Sequence, residues 1–292
     1  MEKSFKSVSD LIGHDGFVNA LAILPNGNIV SGGDDAKIRI WDSSKHQLIT
    51  TLEGHSQGIQ KIVILKNGNI VSGSSDNTIK IWNSLTYELI TTLEGHSGPV
   101  YALALSNNGD IISGSKDTTI KIWNSSTYKL IATLQDDDSA IFSLAILPNG
   151  NIVAGLHDSN IKVWDIETKK IITKFEATVY GVRSLAVLKN GNIVSSGYDD
   201  EIKIWDSSSY KCIATLFGHD QTVGSLAILS NGNIVSGSDD TNIKIWDSNT
   251  YKCVATLEGH TSWILILAVL PNGNIVSGSA DIIKIWDLGQ NF

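Results

Sequence analysis

Apolar residues along this chain fall in short runs, separated by clusters of Gly, Asn, Asp and Ser. In one stretch, Val100–Leu105 is small, branched and apolar, and Asp110–Ser113 follows an Asn108-Gly109 pair. Thr119–Trp123 then alternates Ile with Lys, and Tyr128–Leu134 completes the unit. Such runs between turn residues predict four antiparallel strands, because branched and aromatic side chains suit a pleated, half-buried surface. No stretch sustains the 3.6-residue period of an amphipathic helix.

The unit recurs along the whole chain. Tryptophan appears at Trp41, Trp82, Trp123, Trp164, Trp205, Trp246 and Trp286, at intervals of 41 residues five times and 40 at the end. Asn-Gly recurs in step, at Asn26-Gly27, Asn67-Gly68, Asn108-Gly109, Asn149-Gly150, Asn190-Gly191, Asn231-Gly232 and Asn272-Gly273. Asn-Gly predicts a type I′ turn, with positive φ at both central residues, between two short strands. Seven four-stranded units predict an all-β fold: a seven-bladed β-propeller with four antiparallel strands per blade, one domain over residues 1–292.

The last unit stops after its third strand, at Trp286-Asp287-Leu288. Residues Phe5–His14 align slot by slot with Tyr251–His260, the stretch that begins with an outer strand. Residues 1–12 are therefore expected to supply the outer strand of the last blade and close the ring, removing an open edge.

Composition narrows the function. The net charge is −8 and the only arginines are Arg39 and Arg183. Nucleic-acid binders carry a basic face, and phosphate recognition favours arginine forks, so no nucleic-acid partner is expected. No apolar run reaches the roughly 18 to 20 residues of a membrane helix, and the N-terminus lacks a secretory signal. Neither a membrane partner nor secretion is expected; a cytoplasmic location is, with the nucleus left open. Cys212 and Cys253 fill a slot that Leu48, Leu89, Leu130 or Ile171 fills elsewhere, and are read as small buried hydrophobes. The cation two residues before each Trp, from Arg39 and Lys80 to Lys284, is expected to snorkel to solvent.

Gly-His, present in five of the seven units, followed some two dozen residues later by Trp and then Asp or Asn in all seven, in register, resembles the WD-repeat family over essentially the entire chain. The resemblance implies that the Gly-His loops lie on the top face and the Asn-Gly turns on the bottom. It also implies a network of His, Ser, Asp and Trp within each blade. The network maps onto His55, Ser72, Asp76 and Trp82 in blade two, and His96, Ser113, Asp117 and Trp123 in blade three. Blade six offers His219, Ser236, Asp240 and Trp246, and blade one His14, Ser31, Asp35 and Trp41. Blade seven offers His260, Ser277, Asp281 and Trp286, with one residue deleted between the last two. A buried indole N–H needs an acceptor, and Ser can accept it while donating onward to His.

Blades four and five depart from this pattern. Asp136-Asp137 replaces Gly-His and Ala154 replaces the serine in blade four, while blade five has Ala177-Thr178 with Ser195 retained. A softer seam is expected there, and Asp136-Asp137-Asp138 reads as a solvated loop. Ser, His and Asp together also describe a hydrolytic triad. A set repeated in five blades beside Trp is scaffold rather than a catalytic centre, so no catalytic residue, metal site or cofactor is expected. His46 and His157 stand outside the repeated His slot, each without clustered ligand partners.

Three top-face slots vary while the blade positions hold. Phe17, Gly58, Pro99, Ala140, Gly181, Thr222 and Trp263 precede the residue that opens each inner strand, and Asn19, Gln60, Tyr101, Phe142, Arg183, Gly224 and Leu265 follow it. The residue before the turn Asp ranges over Asp34, Ser75, Lys116, His157, Tyr198, Asp239 and Ala280. Phe17, Trp263 and Leu265 are expected to meet between blades seven and one. Tyr101, Phe142, Arg183, His157 and Tyr198 are expected to form a second arc. Aromatics and arginine dominate interface hot spots. The expected function is a non-catalytic scaffold or adaptor, monomeric by itself, that binds a peptide or small protein domain on the top face; the ubiquitin pathway is one setting for it. The alternative is a structural, self-associating ring.

Overall fold

The structure, a computed structural model, describes residues 3–5, 7–135 and 139–289. Seven sheets form the seven blades. In blade three the strands run Val100–Leu105, Ile111–Ser115, Thr119–Trp123 and Leu130–Gln135, from the innermost to the outermost. The second and fourth strands thus begin a residue or two later than the sequence predicts.

Ring closure follows the expected register. Ser7–Ile12 pairs antiparallel with Ile282–Trp286, matching Ser7 to Trp286, Ser9 to Ile285, Asp10 to Lys284 and Leu11 to Ile283. In blade six the equivalent outer strand matches Cys253 to Trp246, Ala255 to Ile245, Thr256 to Lys244 and Leu257 to Ile243. Lys3–Phe5 does not continue this strand. It pairs in parallel with Cys253–Leu257 and makes a fifth strand on blade six. The N-terminal segment therefore ties two blades together.

The core lies between blades. Ile38, Ile40 and Leu52 of blade one pack against Ile59, Ile62, Ile70 and Trp82 of blade two, and the other junctions repeat this arrangement. Close approach requires a glycine in the second strand. A Cβ on Gly32 would stand 2.6 Å from Ile59, and one on Gly114 2.4 Å from Ile141, both far inside contact distance. Blade five alone has a larger residue in this slot, Ser196.

The Asn-Gly turns are not type I′. Gly27 has φ +87°, whereas none of the preceding Asn residues has positive φ. The Gly27 amide donates to Leu24 O at 2.8 Å, Leu24 N donates to Asn28 O at 2.9 Å, and Asn26 Oδ1 accepts Asn28 N at 3.0 Å. This is the three-residue loop built on a type I turn, with glycine at the left-handed position. Asn supplies a side-chain acceptor rather than a left-handed backbone.

Two further expectations are corrected. The Cys212 slot faces outward: Cys212 is exposed, as are Leu48 at 47%, Leu89 at 44%, Leu130 at 47% and Ile171 at 47%. These residues lie on outermost strands, which no neighbouring blade covers. The cations before Trp are mostly not released to solvent. Lys80 donates to Thr92 at 2.8 Å, Lys121 to Thr133 at 3.1 Å, Lys244 to Thr256 at 3.1 Å and Lys284 to Asp10 at 2.8 Å. Each partner sits directly opposite on the outer strand. Arg39 donates instead to Asp35 at 2.6 Å.

Candidate functional site

A four-strand meander sends the loops into successive blades, and the turns between second and third strands, to one face of the ring. The amide of Ser75 donates to Gly58 O and that of Asp34 to Phe17 O, binding the two sets of loops together. This top face carries both the repeated network and the variable residues.

The network is complete in blades one, two, three and six. In blade two Trp82 Nε1 donates to Ser72 Oγ at 2.9 Å, Ser72 Oγ lies 2.8 Å from His55 Nε2, and His55 Nδ1 lies 2.7 Å from Asp76. The corresponding distances are 2.9, 2.8 and 2.8 Å for Trp123, Ser113, His96 and Asp117. They are 2.8, 2.7 and 2.7 Å for Trp246, Ser236, His219 and Asp240. In blade one Trp41 donates to Ser31 at 2.8 Å, His14 lies 2.7 Å from Ser31 and 3.0 Å from Asp35, and Arg39 joins the carboxylate. In blades two, three and six one proton arrangement satisfies every group: indole donates to serine, serine donates to Nε2, and Nδ1–H donates to aspartate; in blade one Arg39 also approaches His14 Nδ1, at 2.8 Å.

The electrostatics fit that arrangement. Burial lowers the His14 and His55 pKa values despite the adjacent carboxylates, which favours neutral rings. Burial alone would raise Asp76, but hydrogen bonds from Thr78 and His55 outweigh it and bring the pKa to about 2. The geometry resembles a Ser-His-Asp triad, yet Ser72, Ser113 and Ser236 have no exposed surface and already accept an indole N–H. A nucleophile must reach a substrate carbonyl, and these hydroxyls cannot.

Blade seven keeps only part of its set. Trp286 donates to Ser277 at 2.8 Å and His260 lies 2.6 Å from Ser277, but His260 Nδ1 is buried without a partner. The deleted residue shortens the turn so that Asp281 no longer reaches the ring, which corrects the expected four-residue set. Burial and the Lys284 charge lower the His260 pKa to about 4. The unfolded chain therefore takes up this proton near pH 6.5 while the folded protein resists it. Stability contributed by neutral His260 is present above pH 6.5 and is lost as the pH falls towards 4, up to about 3 kcal/mol. A His260→Gln variant should flatten the urea-unfolding free energy between pH 6.5 and 4; an unchanged slope would assign the acid sensitivity to other groups.

The unpartnered buried groups are concentrated in blade five. Trp205 still donates to Ser195 at 2.8 Å. However, Thr178 Oγ1, Ser196 Oγ and Asp199 Oδ1 are buried without partners, three of the five such atoms among the described residues. In blade four Ala154 is fully buried in the serine slot; Asp136, Asp137 and Asp138 lie outside the described residues. An orphaned buried hydroxyl costs about 1–3 kcal/mol, so Ser196→Ala should stabilise by about 1 kcal/mol in urea unfolding. Hydrogen exchange should be faster at Thr178 and Ala154 than at His55 and Ser72, with Ser196→Ala slowing it at Thr178. Equal protection would mean that packing sets local stability.

The variable residues gather as two aromatic groups. Phe17 and Trp263 stack with ring centroids 5.9 Å apart and 7° between planes, across the junction of blades seven and one. Tyr101 meets Phe142 edge-on at 5.3 Å, and Phe142 meets His157 at 5.1 Å. Arg183 lies over the Tyr198 ring at 5.0 Å and 4.0 Å from Asp239. Tyr101, Phe142, Arg183, Tyr198 and Leu265 line one cavity of about 280 Å³ at the mouth of the central channel. Trp263 is 50% exposed, so it is not tucked wholly against its neighbours.

The slot comparison missed other exposed apolar residues. Val179, Tyr180 and Phe217 project from the loops flanking blade five. Their signal was legible: Val179-Tyr180 stands where other units have pairs such as Ser56-Gln57, and Phe217 where they have Glu53, Glu94 or Glu258. Lys61 on the channel wall was missed as well.

Among the described residues no helix is long and apolar enough to cross a membrane. A comparison with curated proteins gave no match. The WD domain, G-beta repeat family matches residues 5–42, 46–83, 87–124, 128–165, 169–206, 210–247 and 251–287. Each match runs from the outer strand of one blade to the third strand of the next, and the first begins within the segment that closes the ring. With seven matched units along nearly the whole chain and a seven-bladed ring to hold them, this protein belongs to the WD-repeat family.

Proposed function

We propose that this propeller is a non-catalytic, cytoplasmic adaptor that holds a peptide or small protein domain on its top face. Propellers of this family generally serve as protein-interaction scaffolds. The observation that carries the reading is the joining of Tyr101, Phe142, Arg183, Tyr198 and Leu265 around one cavity, with the Phe17–Trp263 stack beside it. The propeller does not require these side chains, since other blades place Gly, Ala or Thr in several of the same slots. Large aromatics offer contact area with little rotamer entropy to lose, which makes them effective anchors. A ubiquitin-pathway adaptor is one form of this reading, and no residue of the face singles it out.

Trp263→Ala, Phe17→Ala and Tyr101→Ala should each leave stability within about 1 kcal/mol, because the rings sit at the surface. Loss of a hot spot should cost about 2 kcal/mol or more of binding, some thirtyfold in affinity. The test is capture of partners from the native cell by each variant, with melting temperature measured alongside. Lys66 and Lys189 are poor bottom-face controls, since each donates to a backbone carbonyl of the next blade. Leu85→Ala is better, at 87% exposure on a bottom turn. Partners kept by every top-face variant and lost with Leu85→Ala would move the site to the other face.

A second reading has its own observation. Leu48, Ile49, Leu89, Ile90, Leu130 and Ile131 are exposed on outer strands, and such edges favour self-association. The adaptor reading expects a monomer in light scattering; a concentration-dependent oligomer would favour the assembling ring.

A further inference from the structure

The position two residues after the one that opens each inner strand holds Ala20, Ala102, Ser143, Ser184, Ser225 and Ile266 in six blades. In blade two it holds Lys61. The Lys61 side chain lines the cavity at the channel mouth, where it is half-buried and makes no hydrogen bond or ion pair with the described residues. Burial lowers its pKa, and no carboxylate counters that effect. Its ammonium group is thus a cation only half withdrawn from water, facing the cavity with no protein partner. The six small or apolar residues in the matching slots show that the fold does not need one there.

The opposite wall supplies complementary chemistry. In a ring of seven, blade two faces the junction of blades five and six. There Ser184 Oγ accepts Leu226 N at 3.0 Å, and Ser225 Oγ accepts Leu267 N at 3.0 Å. Each hydroxyl keeps its own proton to donate, and both residues line the same cavity. The channel thus presents an ammonium group on one side and two hydroxyl donors on the other. Arg183 stands at its mouth, close to Asp239.

We propose that the upper channel binds one carboxylate, carried by an Asp or Glu side chain of a bound peptide, between Lys61 and the Ser184 and Ser225 hydroxyls. This rests on the adaptor reading and adds the chemistry of the peptide. Tyr101 and Phe142 at the mouth would flank the peptide around that acidic residue. The cavity of about 280 Å³ admits a side chain rather than a folded domain.

The test is calorimetric titration of the full chain with acetylated, amidated Gly-Glu-Gly and its Gly-Gln-Gly counterpart, with free glutarate as a third probe. The Glu peptide should bind saturably, and the Gln peptide at least about tenfold more weakly, as expected on losing a charge-assisted bond. Lys61→Met should abolish the preference, since it removes the cation while keeping a side chain of similar length. Lys61→Gln serves as a second variant of similar length and should also lose the preference. Equal binding of both peptides, no binding of the Glu peptide, or a preference that survives in Lys61→Met would overturn the proposal. Glutarate binding as tightly as the peptide would overturn it too, assigning the site to a free small acid. Partner capture separates the two readings: partners lost by Tyr101→Ala and Trp263→Ala but kept by Lys61→Met would leave the adaptor standing without its acidic anchor.

Discussion

A chain lacking residues 1–12 should lose its cooperative melting transition and aggregate. In the intact protein Ser7–Ile12 covers the outer edge of Ile282–Trp286, and Leu11 is buried against Trp41, Ile283 and Ile285. Removal exposes a β-edge, leaves Lys284 without Asp10, and opens the apolar seam between blades seven and one. Lys3–Phe5 goes with it, so blade six loses its added parallel strand and the Phe5 contact with the core of that junction. An exposed apolar strand edge templates association with other chains. The closed ring makes these losses worse than the burial of one strand suggests, because blades six, seven and one each depend on the segment. Calorimetry and light scattering on the truncated protein provide the check. A truncated chain as soluble and heat-stable as the intact one would show that the ring closes through the inner strands alone.

Much of this architecture is legible in the residues because every blade repeats the same physical solution. Trp and Asn-Gly mark the third strand and the first turn, so the number of blades and the order of strands follow from their spacing. The slot-by-slot match of Phe5–His14 to Tyr251–His260 carries the closing register, since paired slots face the same neighbours. The network could be read because each member occupies its own slot and answers a definite need of the indole N–H.

What escaped the sequence depends on three-dimensional surroundings that one-dimensional periodicity does not encode. Leu48, Leu89 and Cys212 look like core residues, but the outermost strand has no blade beyond it. The lysines before Trp look destined for solvent, yet a threonine or aspartate stands opposite them across the strand pair. Asn-Gly fits two kinds of turn; the acceptor provided by Asn26 and the type I turn before Gly27 decide between them. In blade seven the motif residues are all present, but one deletion moves Asp281 away from His260. Lys61 escaped because the comparison followed the residues at the rim, whereas this departure lies one residue further along the strand. The aromatic clusters were foreseen as neighbours, since slots equivalent in adjacent blades are adjacent on the ring.

Blades four and five show how the network tolerates change. Where serine became Ala154, the histidine slot lost its imidazole as well, so no ring nitrogen was left facing a methyl group. Where Ser195 stayed, the histidine slot became Thr178 and the aspartate slot kept Asp199, and both now hold buried atoms without partners. Burial also raises the Asp199 pKa, opposite to the lowered Asp76 and Asp240. The difference lies in the side-chain donors. Asp76 receives bonds from the Thr78 hydroxyl and His55 Nδ1–H, and Asp240 one from His219 Nδ1–H, whereas Asp199 receives only the Val179 amide, at 3.2 Å.

Ser113→Ala in an otherwise intact chain should therefore cost about 3 kcal/mol, far more than the loss of one hydroxyl at a surface. Ser113 has no exposed surface, and its oxygen stands between Trp123 Nε1 at 2.9 Å and His96 Nε2 at 2.8 Å. Alanine keeps the shape of the strand but leaves an indole donor and an imidazole acceptor buried together. Each orphaned group costs about 1–3 kcal/mol, and water cannot enter to satisfy them without opening the blade. His96→Phe alone should also destabilise, because it leaves Asp117 without its Nδ1–H donor. The double variant should cost less than the sum of the two singles by about 1 kcal/mol or more, since the serine–histidine bond can be lost only once. Urea unfolding of all four proteins measures this coupling. If the costs add, the network is a set of independent contacts; if Ser113→Ala stays within about 0.5 kcal/mol of the parent, apolar packing between blades holds the ring without it.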